Sequence, residues 1–282
     1  MPRIDLHTHS SVSDGTESPA ELVSAAVTAE LDVVALTDHD STAGWGEAFE
    51  AARGTGLTVL PGIELSTQLD YASVHILGYL VDPADASLVA VTERIRAERL
   101  HRAEAMVERI SADYALDWED VLAQTTPGAT VGRPHIADAL VARGHVPDRS
   151  AAFQSILHWR GGYYRPHKAP LPVEGVRVIA EAGGVAVIAH PGGRGPDRLL
   201  TDARVRTLID AGLFGLEVEH RDNPASTHER WVDLATRFGL VMTGASDYHG
   251  SGKPNRLGEN LTSPEAYAAI LARGSGSAPF AG

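Results

Sequence analysis

The chain has 282 residues, 43% of them hydrophobic, which supports a full hydrophobic core and argues against disorder. Its formal net charge of −13 disfavours sequence-independent binding to duplex nucleic acid, which needs a surface rich in lysine and arginine. It contains no cysteine, which excludes disulfides and thiolate metal sites. No apolar run of about 18 residues could span a membrane and no signal-peptide pattern opens the chain, so we expect a cytoplasmic protein.

Short apolar runs along the chain predict the strands of a largely buried sheet. They are rich in Val, Ile and Leu with little alternation, as are strands that are covered on both faces. Helical stretches separate most of them, which indicates a mainly parallel sheet or barrel of the α/β class. The predicted strands are 3–7, 32–37, 57–64, 74–81, 184–191, 213–220 and 239–247.

Capping residues mark several helix boundaries. Ser18, Pro19 and Glu21 have the pattern of a capping box at the start of a helix over 18–30. Helical stretches over 172–184 and 226–239 each end at glycine, the residue favoured at helix C-termini. The last ten residues, 273–282, show no such pattern, and we predict a loose end there.

Residues 83 to 160 interrupt the alternation of strands and helices. Apolar residues at helical spacing predict one long amphipathic helix over 85–114. Shorter helices follow, separated by turns at 125–130 and 143–150. We therefore predict an all-helical insertion at 83–160 in an α/β domain formed by 1–82 and 161–282.

Histidines and carboxylates gather at the predicted strand ends. His7 and His9 face the same side because alternate residues of a strand do. Most of the set lies at C-terminal strand ends, which converge on one face of an α/β barrel. His75 begins its strand, and it reaches that face if 57–64 and 74–81 form an antiparallel hairpin, which their short connection favours. The remaining members are Asp14, His39, Glu64, His190, Asp247 and His249.

Each of these residues alone fits an ordinary polar loop, but together they indicate a site for divalent metal ions. Imidazoles and carboxylates without sulfur suit Mn²⁺, Fe²⁺ or Zn²⁺, and the residue types do not choose among the three. Clustered ions activate a bound water and neutralise a phosphoryl group. The chain has no cysteine nucleophile, no G-x-S-x-G elbow and no Walker A motif, so phosphate-ester hydrolysis is the natural chemistry.

Motifs in a fixed order carry a family resemblance. DLHTHSSVSDG, ALTDHDS, PGIELS, VHILGY, AHPGG and GASDYHG resemble the PHP (polymerase and histidinol phosphatase) family of metal-dependent phosphoesterases. The resemblance implies a distorted (β/α)7 barrel whose helical insertion caps the active site. Within the insertion, VGRPHIADAL is similar to the branch that acts on nucleoside 3′,5′-bisphosphates and short 5′-phosphorylated oligoribonucleotides.

The resemblance also implies two to three divalent ions and their ligands. His7, His9, Glu64 and Asp247 would hold the first ion. Glu64 would bridge to a second ion bound by His75 and His190, while Asp14, His39 and His249 would hold a third. Glu64, Asp247 and His190 would be the catalytic ligands, with Asp38 orienting His39 from the second shell. His220 and His228 align uncertainly with a histidine of the family and are left unassigned.

Basic residues outside the ligand set are candidates for phosphate binding. Pro134 fits position N1 of a helix that ends at Gly144, which puts Arg133 and His135 at an N-terminus that attracts anions. Lys168 and Arg194 are further candidates. His167 competes with Lys168, because related chains often read Tyr-Val-Pro-Lys where this chain reads YYRPHK.

The resemblance therefore implies attack of a metal-bound hydroxide on a nucleoside 3′,5′-bisphosphate, such as pAp to AMP, or on short 5′-phosphorylated oligoribonucleotides. The expected partners are a small nucleotide or short single-stranded RNA, without duplex nucleic acid or membrane. One alternative is a histidinol-phosphate phosphatase, but that branch tends to have histidine in place of Asp14 and lacks the insertion. The other is a non-catalytic metal- or nucleotide-binding regulatory module, against which all nine expected ligands argue. The oligomeric state and base preference stay open.

Overall fold

The computed structural model describes residues 1–70, 72–166, 168–193 and 200–282. Within them, β1 to β7 follow one another across the sheet in chain order, and each overlaps one of the predicted runs, while a short eighth strand pairs with β3. The strand β4 runs antiparallel to both of its neighbours, and the other adjacent pairs are parallel. The strands are β1 (Ile4–Thr8), β2 (Val33–Leu36), β3 (Thr58–Leu69), β4 (Ala72–Tyr79), β5 (Val185–Ile188), β6 (Leu213–Glu219) and β7 (Val241–Gly244).

The sheet curls until its first and last strands approach each other. Thr8, at the end of β1, forms an isolated parallel bridge with Tyr248, just beyond β7. The backbone amide of His9 donates to the carbonyl oxygen of Tyr248 over 2.8 Å. The result is a distorted half-barrel of the predicted α/β class, drawn together at the end where the histidines lie.

Alternate strand residues enter two different hydrophobic clusters, as expected for strands buried on both faces. In β2, Val34 and Leu36 pack with the surrounding helices, whereas Val33 and Ala35 join the second cluster with Leu60. The helices flanking the sheet are α1 (Pro19–Thr28), α2 (Trp45–Ala52), α7 (Pro172–Glu181), α8 (Asp202–Asp210), α9 (Ala225–Phe238) and α10 (Pro264–Arg273). In the described parts of the chain, no helix combines the length and the apolar character needed to cross a membrane.

The predicted capping box and the predicted hairpin are both confirmed. The side chain of Ser18 caps α1 and Glu21 completes the capping box. The strands β3 and β4 form an antiparallel hairpin in which Ser66 pairs with His75. The hairpin returns the start of β4 to the end of β5, where the amide of Ala189 donates to the carbonyl oxygen of His75 over 3.0 Å.

The segment between β4 and α7 is helical and has a core of its own. It contains α3 (Ala86–Ile110), α4 (Trp118–Leu122), α5 (Arg133–Ala142) and α6 (Arg149–Gln154). The C-terminal half of α3 packs in this core of the helical segment, whereas Leu88 and Ile95 of its N-terminal half belong to the core between the sheet and its helices. The helix α3 therefore joins both units, while the division at 83 and 160 stays a prediction.

The prediction of a loose C-terminal end is wrong. Phe280 and Ala281 form β8, which pairs antiparallel with Val59 and Thr58 of β3. The ring of Phe280 stacks on that of Phe49, with centroids 5.3 Å apart. A strand of two residues is too short to show a hydrophobic pattern, so only the long-range pairing identifies it.

We expect Leu140→Ala to destabilise the protein strongly, because Leu140 is fully buried in the core of the helical segment. Removing a buried leucine side chain and leaving a cavity costs about 3–5 kcal/mol in free energy of unfolding. Leu122→Ala is the matched control, since Leu122 lies in the same segment but is 39% exposed. Urea denaturation of both variants measures the difference, and similar losses would contradict a separate core.

Candidate metal centre

All nine predicted ligands lie together at one end of the half-barrel and are buried. His7, His9, Glu64, Asp247 and His249 are at most 1% exposed, and Asp14, at 8%, is the most exposed of the nine. Glu64 lies within β3 and His75 near the start of β4, while the others lie at the C-terminal end of a strand or in the loop that follows one. A set of ionisable groups this far from water needs a compensating charge.

The first predicted set has the spacing of a four-coordinate metal site. His7 Nε2 and His9 Nε2 lie 3.1 Å apart. These two nitrogens lie 3.3 and 3.1 Å from Glu64 Oε2, and 3.4 and 3.3 Å from Asp247 Oδ1. A tetrahedral ion with metal–ligand distances of about 2.0–2.1 Å has ligand–ligand distances of roughly 3.3 Å. The four side chains therefore fit a divalent ion at their centre.

Glu64 uses both of its oxygens, as a bridging ligand would. Oε1 lies 2.6 Å from His75 Nδ1 and 3.1 Å from His190 Nε2, the predicted second set. Oε2 faces His7 and His9 and also lies 3.1 Å from His39 Nδ1. His39, Glu64 and His75 consequently form a cluster that could hold an ion, an association of His39 that the sequence did not predict.

The third predicted set gathers around Asp14. Asp14 Oδ1 lies 3.1 Å from His249 Nε2, and Asp14 Oδ2 lies 3.8 Å from His39 Nε2. His9 joins this group as well, so its imidazole lies between two clusters. Asp14 Oδ1 and His249 Nε2 are buried and lack a hydrogen-bond partner among the described residues. Such orphaned atoms fit coordination of an ion.

Comparisons with known proteins agree with this centre. The model of the PHP domain matches residues 5–144. The chain is 35% identical to the 3′,5′-nucleoside bisphosphate phosphatase of Chromobacterium violaceum over 91% of this chain and 90% of that protein. The chain belongs to the PHP family. It is accordingly a hydrolase, a metal-dependent phosphoesterase.

Other PHP relatives have different named activities. The phosphoribosyl 1,2-cyclic phosphate 1,2-diphosphodiesterase of Eggerthella lenta is 37% identical, over 87% of this chain and 94% of that protein. The 5′-3′ exoribonuclease of Haemophilus influenzae is 31% identical, over 92% and 94%. A crystal structure from Bifidobacterium adolescentis, assigned as a metal-dependent phosphoesterase, superposes with a TM-score of 0.93 at 45% identity, covering 96% of each chain. The named activities of these relatives have the hydrolysis of phosphate esters in common.

Residues at and beside the PHP centre have φ values in the left-handed region. Asp247 and His190 have φ values of 54° and 27°, and Asp40, beside the centre, has 53°. Such backbone conformations are costly for residues other than glycine and cluster at functional sites. Here they turn the side chains inward where β5 and β7 end.

Burial and neighbouring charges shift the pKa values of this centre in opposite directions. Burial lowers the pKa of His9, but hydrogen bonds with Asp247 and Glu64 outweigh it and raise the pKa to about 9. Burial raises the pKa of Glu64, but the histidines around it bring the pKa well below its usual range. Burial, with help from the charge of Lys253, lowers the pKa of His249 to about 4.

Asp38 is connected through Ser13 to His9, whereas the predicted contact was with His39. Its carboxylate accepts hydrogen bonds from the amide and hydroxyl of Ser10 and from the hydroxyl of Ser13, over 2.6–2.8 Å. Ser13 Oγ in turn lies 3.4 Å from His9 Nδ1. Asp38 therefore acts on the loop after β1 and on His9, because its side chain points back towards β1.

Two charged residues next to the ligands were not predicted from the sequence. Lys253 Nζ lies 2.6 Å from Asp247 Oδ2, although nothing in the glycine-rich stretch around Lys253 predicts the contact. Glu217 is fully buried and lies 3.0 Å from His7 Nδ1. An acidic residue inside the apolar run 213–220 was a signal for it. His220, left unassigned, forms a cluster with His7 and Glu217, while His228 is partly exposed and pairs with Glu219.

The predicted phosphate-binding residues differ in their burial and in their place in the fold. Arg133, not Pro134, is the first residue of α5, so the predicted register of this N-terminus is wrong by one residue. His135 is buried and its Nδ1 accepts from the amide of Gly132 over 3.1 Å, so this atom caps the helix. Lys168 is exposed. Arg194 and His167 lie outside the described residues.

Metal affinity should rise with pH. A pKa of about 9 means that His9 is protonated near neutral pH in the metal-free protein, so an ion must displace that proton. Burial lowers the pKa of His7, a proposed ligand of the same ion, but the charges of Glu217, Glu64 and Asp247 outweigh it and raise that pKa well above its usual range. The apparent Kd for Mn²⁺ should therefore fall by about ten- to a hundredfold per pH unit between about pH 6 and pH 8, with one to two protons released per ion. Calorimetric titration in buffers of different ionisation enthalpy measures both quantities. A Kd independent of pH would contradict the assignment.

Proposed function

We propose that this PHP enzyme hydrolyses nucleotides that carry a second, uncleaved phosphate, namely nucleoside 3′,5′-bisphosphates (pAp to AMP) and short 5′-phosphorylated oligoribonucleotides. The observation that carries the proposal is a group of arginines from the helical segment beside the metal centre. A phosphate at the centre and a phosphate at these arginines would belong to one substrate.

The proposed ligands of two to three ions are the nine residues of the centre, with Glu64 as the bridge. Bound divalent ions supply an activated water and neutralise charge on the phosphoryl group. The donor set of imidazole and carboxylate suits Mn²⁺, Fe²⁺ or Zn²⁺. The protein's part is to fix the imidazoles and carboxylates before substrate arrives and to exclude bulk water from them.

Arg99 connects the helical segment to the rim of the centre. Its Nε lies 2.8 Å from Asp40 Oδ2, and its Nη2 donates to Ser66 Oγ over 2.6 Å. Asp40 follows His39, and Ser66 pairs with His75 across the hairpin. This contact fixes α3 against two strands that deliver ligands.

Arg102, one turn further along α3, forms a cationic pair with Arg133, the first residue of α5. Both guanidinium groups lie over the ring of Tyr164, at 5.3 and 5.5 Å from its centroid. Burial and the nearby charge of Arg133 together lower the pKa of Arg102 to about 9. A dianionic phosphate between the two arginines would offset both effects, since charge-assisted bonds to phosphate are strong.

One geometry would serve both proposed substrates. In a 5′-phosphorylated RNA, the first internucleotide linkage occupies the position that the 3′-phosphate has in a 3′,5′-bisphosphate. A site that binds the 5′-phosphate and cleaves at the 3′ position would therefore accept both. This accounts for the two names found among the PHP relatives.

Assays of phosphate release and chain cleavage with Mn²⁺ test the proposal. We expect pAp and a 5′-phosphorylated trinucleotide to be hydrolysed at least about tenfold faster than 5′-AMP or histidinol phosphate, because only they place a second phosphate on the arginines. Phosphoribosyl 1,2-cyclic phosphate enters the panel because the Eggerthella lenta relative is named for it. Preference for that compound or for histidinol phosphate would overturn the proposal, and no turnover of any compound would favour a binding module.

Arg133→Ala and Arg102→Ala should each lower kcat/KM for pAp by about ten- to a hundredfold, because each removes a charge-assisted contact worth roughly 1.5–3 kcal/mol. Activity on 5′-AMP should change much less, since the scissile phosphate does not need these arginines. Steady-state kinetics of both substrates measure the difference.

Arg109 offers the matched control for Arg102. Arg102 Nε donates to the carbonyl oxygen of Arg165 over 2.8 Å, and Arg109 Nη1 donates to that of Gly162 over 3.1 Å. Arg109→Ala thus removes an equivalent contact with the same loop, two turns along α3 and away from Arg133. An equal loss in Arg102→Ala and Arg109→Ala would assign Arg102 to loop stability alone.

The cytoplasmic location and the exclusion of duplex nucleic acid stay predictions.

A further inference from the structure

The carboxylate of Glu217 contacts two of the proposed metal ligands, His7 and His190. It lies in β6 and is fully buried. Its Oε1 lies 3.0 Å from His7 Nδ1, and its Oε2 accepts from the backbone amide of His190 over 2.8 Å. The two oxygens therefore contact residues delivered by β1 and β5, on either side of Glu64.

We propose that Glu217 is a positioning residue of the metal centre, which holds His7 in the orientation and proton state that ligation requires. The inference rests on the proposed ligand roles of His7 and His190. A carboxylate only accepts hydrogen bonds, so the contact keeps the proton of His7 on Nδ1. This leaves the lone pair of His7 Nε2 directed at Glu64, Asp247 and the ion between them.

The second contact of Glu217 acts on His190 through the backbone. His190 has a φ of 27°, and its strained conformation directs Nε2 towards Glu64 Oε1, 3.1 Å away. The hydrogen bond from its amide to Glu217 Oε2 holds the backbone in that conformation. The carboxylate of Glu217 thereby links ligands of the first and second proposed ions.

A glutamine cannot reproduce both contacts, although it has the same size and shape. His7 Nδ1–H and His190 N–H are two donors that face two different oxygens, and an amide offers one oxygen and one NH₂. If the NH₂ faces His7, the proton of His7 must move to Nε2, where it blocks ligation. If the NH₂ faces His190, two N–H groups oppose each other at the strained residue.

The test compares Mn²⁺ binding by Glu217→Gln and Glu219→Gln. Glu219 lies two residues further along β6 and also pairs with a histidine, His228, over 2.6 Å, but both side chains are substantially exposed and neither is a proposed ligand. We expect Glu217→Gln to raise the Kd for Mn²⁺ by about 10- to 100-fold, the usual effect of losing an outer partner of a ligating histidine. Glu219→Gln should stay within about twofold of wild type.

Further measurements separate positioning from general stability. The Tm of the metal-free Glu217→Gln protein should stay close to that of the wild type, and kcat should largely recover at saturating Mn²⁺. Glu217→Asp keeps two acceptor oxygens on a side chain that is one methylene shorter, so it should bind Mn²⁺ more tightly than Glu217→Gln but less tightly than wild type. It replaces the glutamine variant in the comparison with wild type if that variant does not fold. A Kd for Glu217→Gln or Glu217→Asp equal to that of wild type would overturn the inference. A wild-type protein that binds no Mn²⁺ would instead overturn the proposed centre itself.

Discussion

The contact of one buried carboxylate with a ring of histidines governs the architecture of this protein. Glu64 places Oε1 against His75 and His190, and Oε2 against His7, His9 and His39. So dense a group of ionisable side chains is expensive to bury unless charges are balanced. In the metal-free protein, a raised pKa keeps His9 protonated, and the ammonium group of Lys253 lies against Asp247. Divalent ions bound by these residues would take over that balance of charge.

The half-barrel is suited to making such a cluster because it brings strand ends from all along the chain to one place. The antiparallel strand β4 is essential to this, since it carries His75 back to the end of β5. Left-handed backbone at His190 and Asp247 then turns side chains inward. The strain is supported by neighbours such as Glu217, whose carboxylate accepts the amide hydrogen of His190. Ligand geometry and backbone strain are thus parts of the same arrangement.

How much could be predicted from sequence depended on how far apart the interacting residues are in the chain. The strands, the hairpin and the capping box at Ser18 were predicted, since hydrophobic pattern and turn chemistry are local signals. The histidine cluster was predicted because every member lies at a strand end. The contact of Glu217 with His7 and the position of Arg102 and Arg133 over the same ring were not, since they depend on segments that only the folded chain brings together. The contact of Asp38 with Ser13 instead of His39 depended on side-chain direction, which residue types do not reveal.

The helix α3 holds the proposed phosphate-binding residues of the helical segment at a defined place beside the sheet. Its N-terminal half packs in the core between the sheet and its helices through Ile95. Its C-terminal half packs in the core of the helical segment through Met106. Arg99 and Arg102 lie between these two anchors, about 5 Å apart along the axis at 1.5 Å per residue. The proposed phosphate-binding pair is therefore held at a fixed distance from the metal centre. Since a 3′,5′-bisphosphate and the first nucleotide of a 5′-phosphorylated RNA separate their phosphates by the same ribose, that fixed distance would recognise both. It would disfavour compounds with a single phosphate, which leave the arginines without a partner.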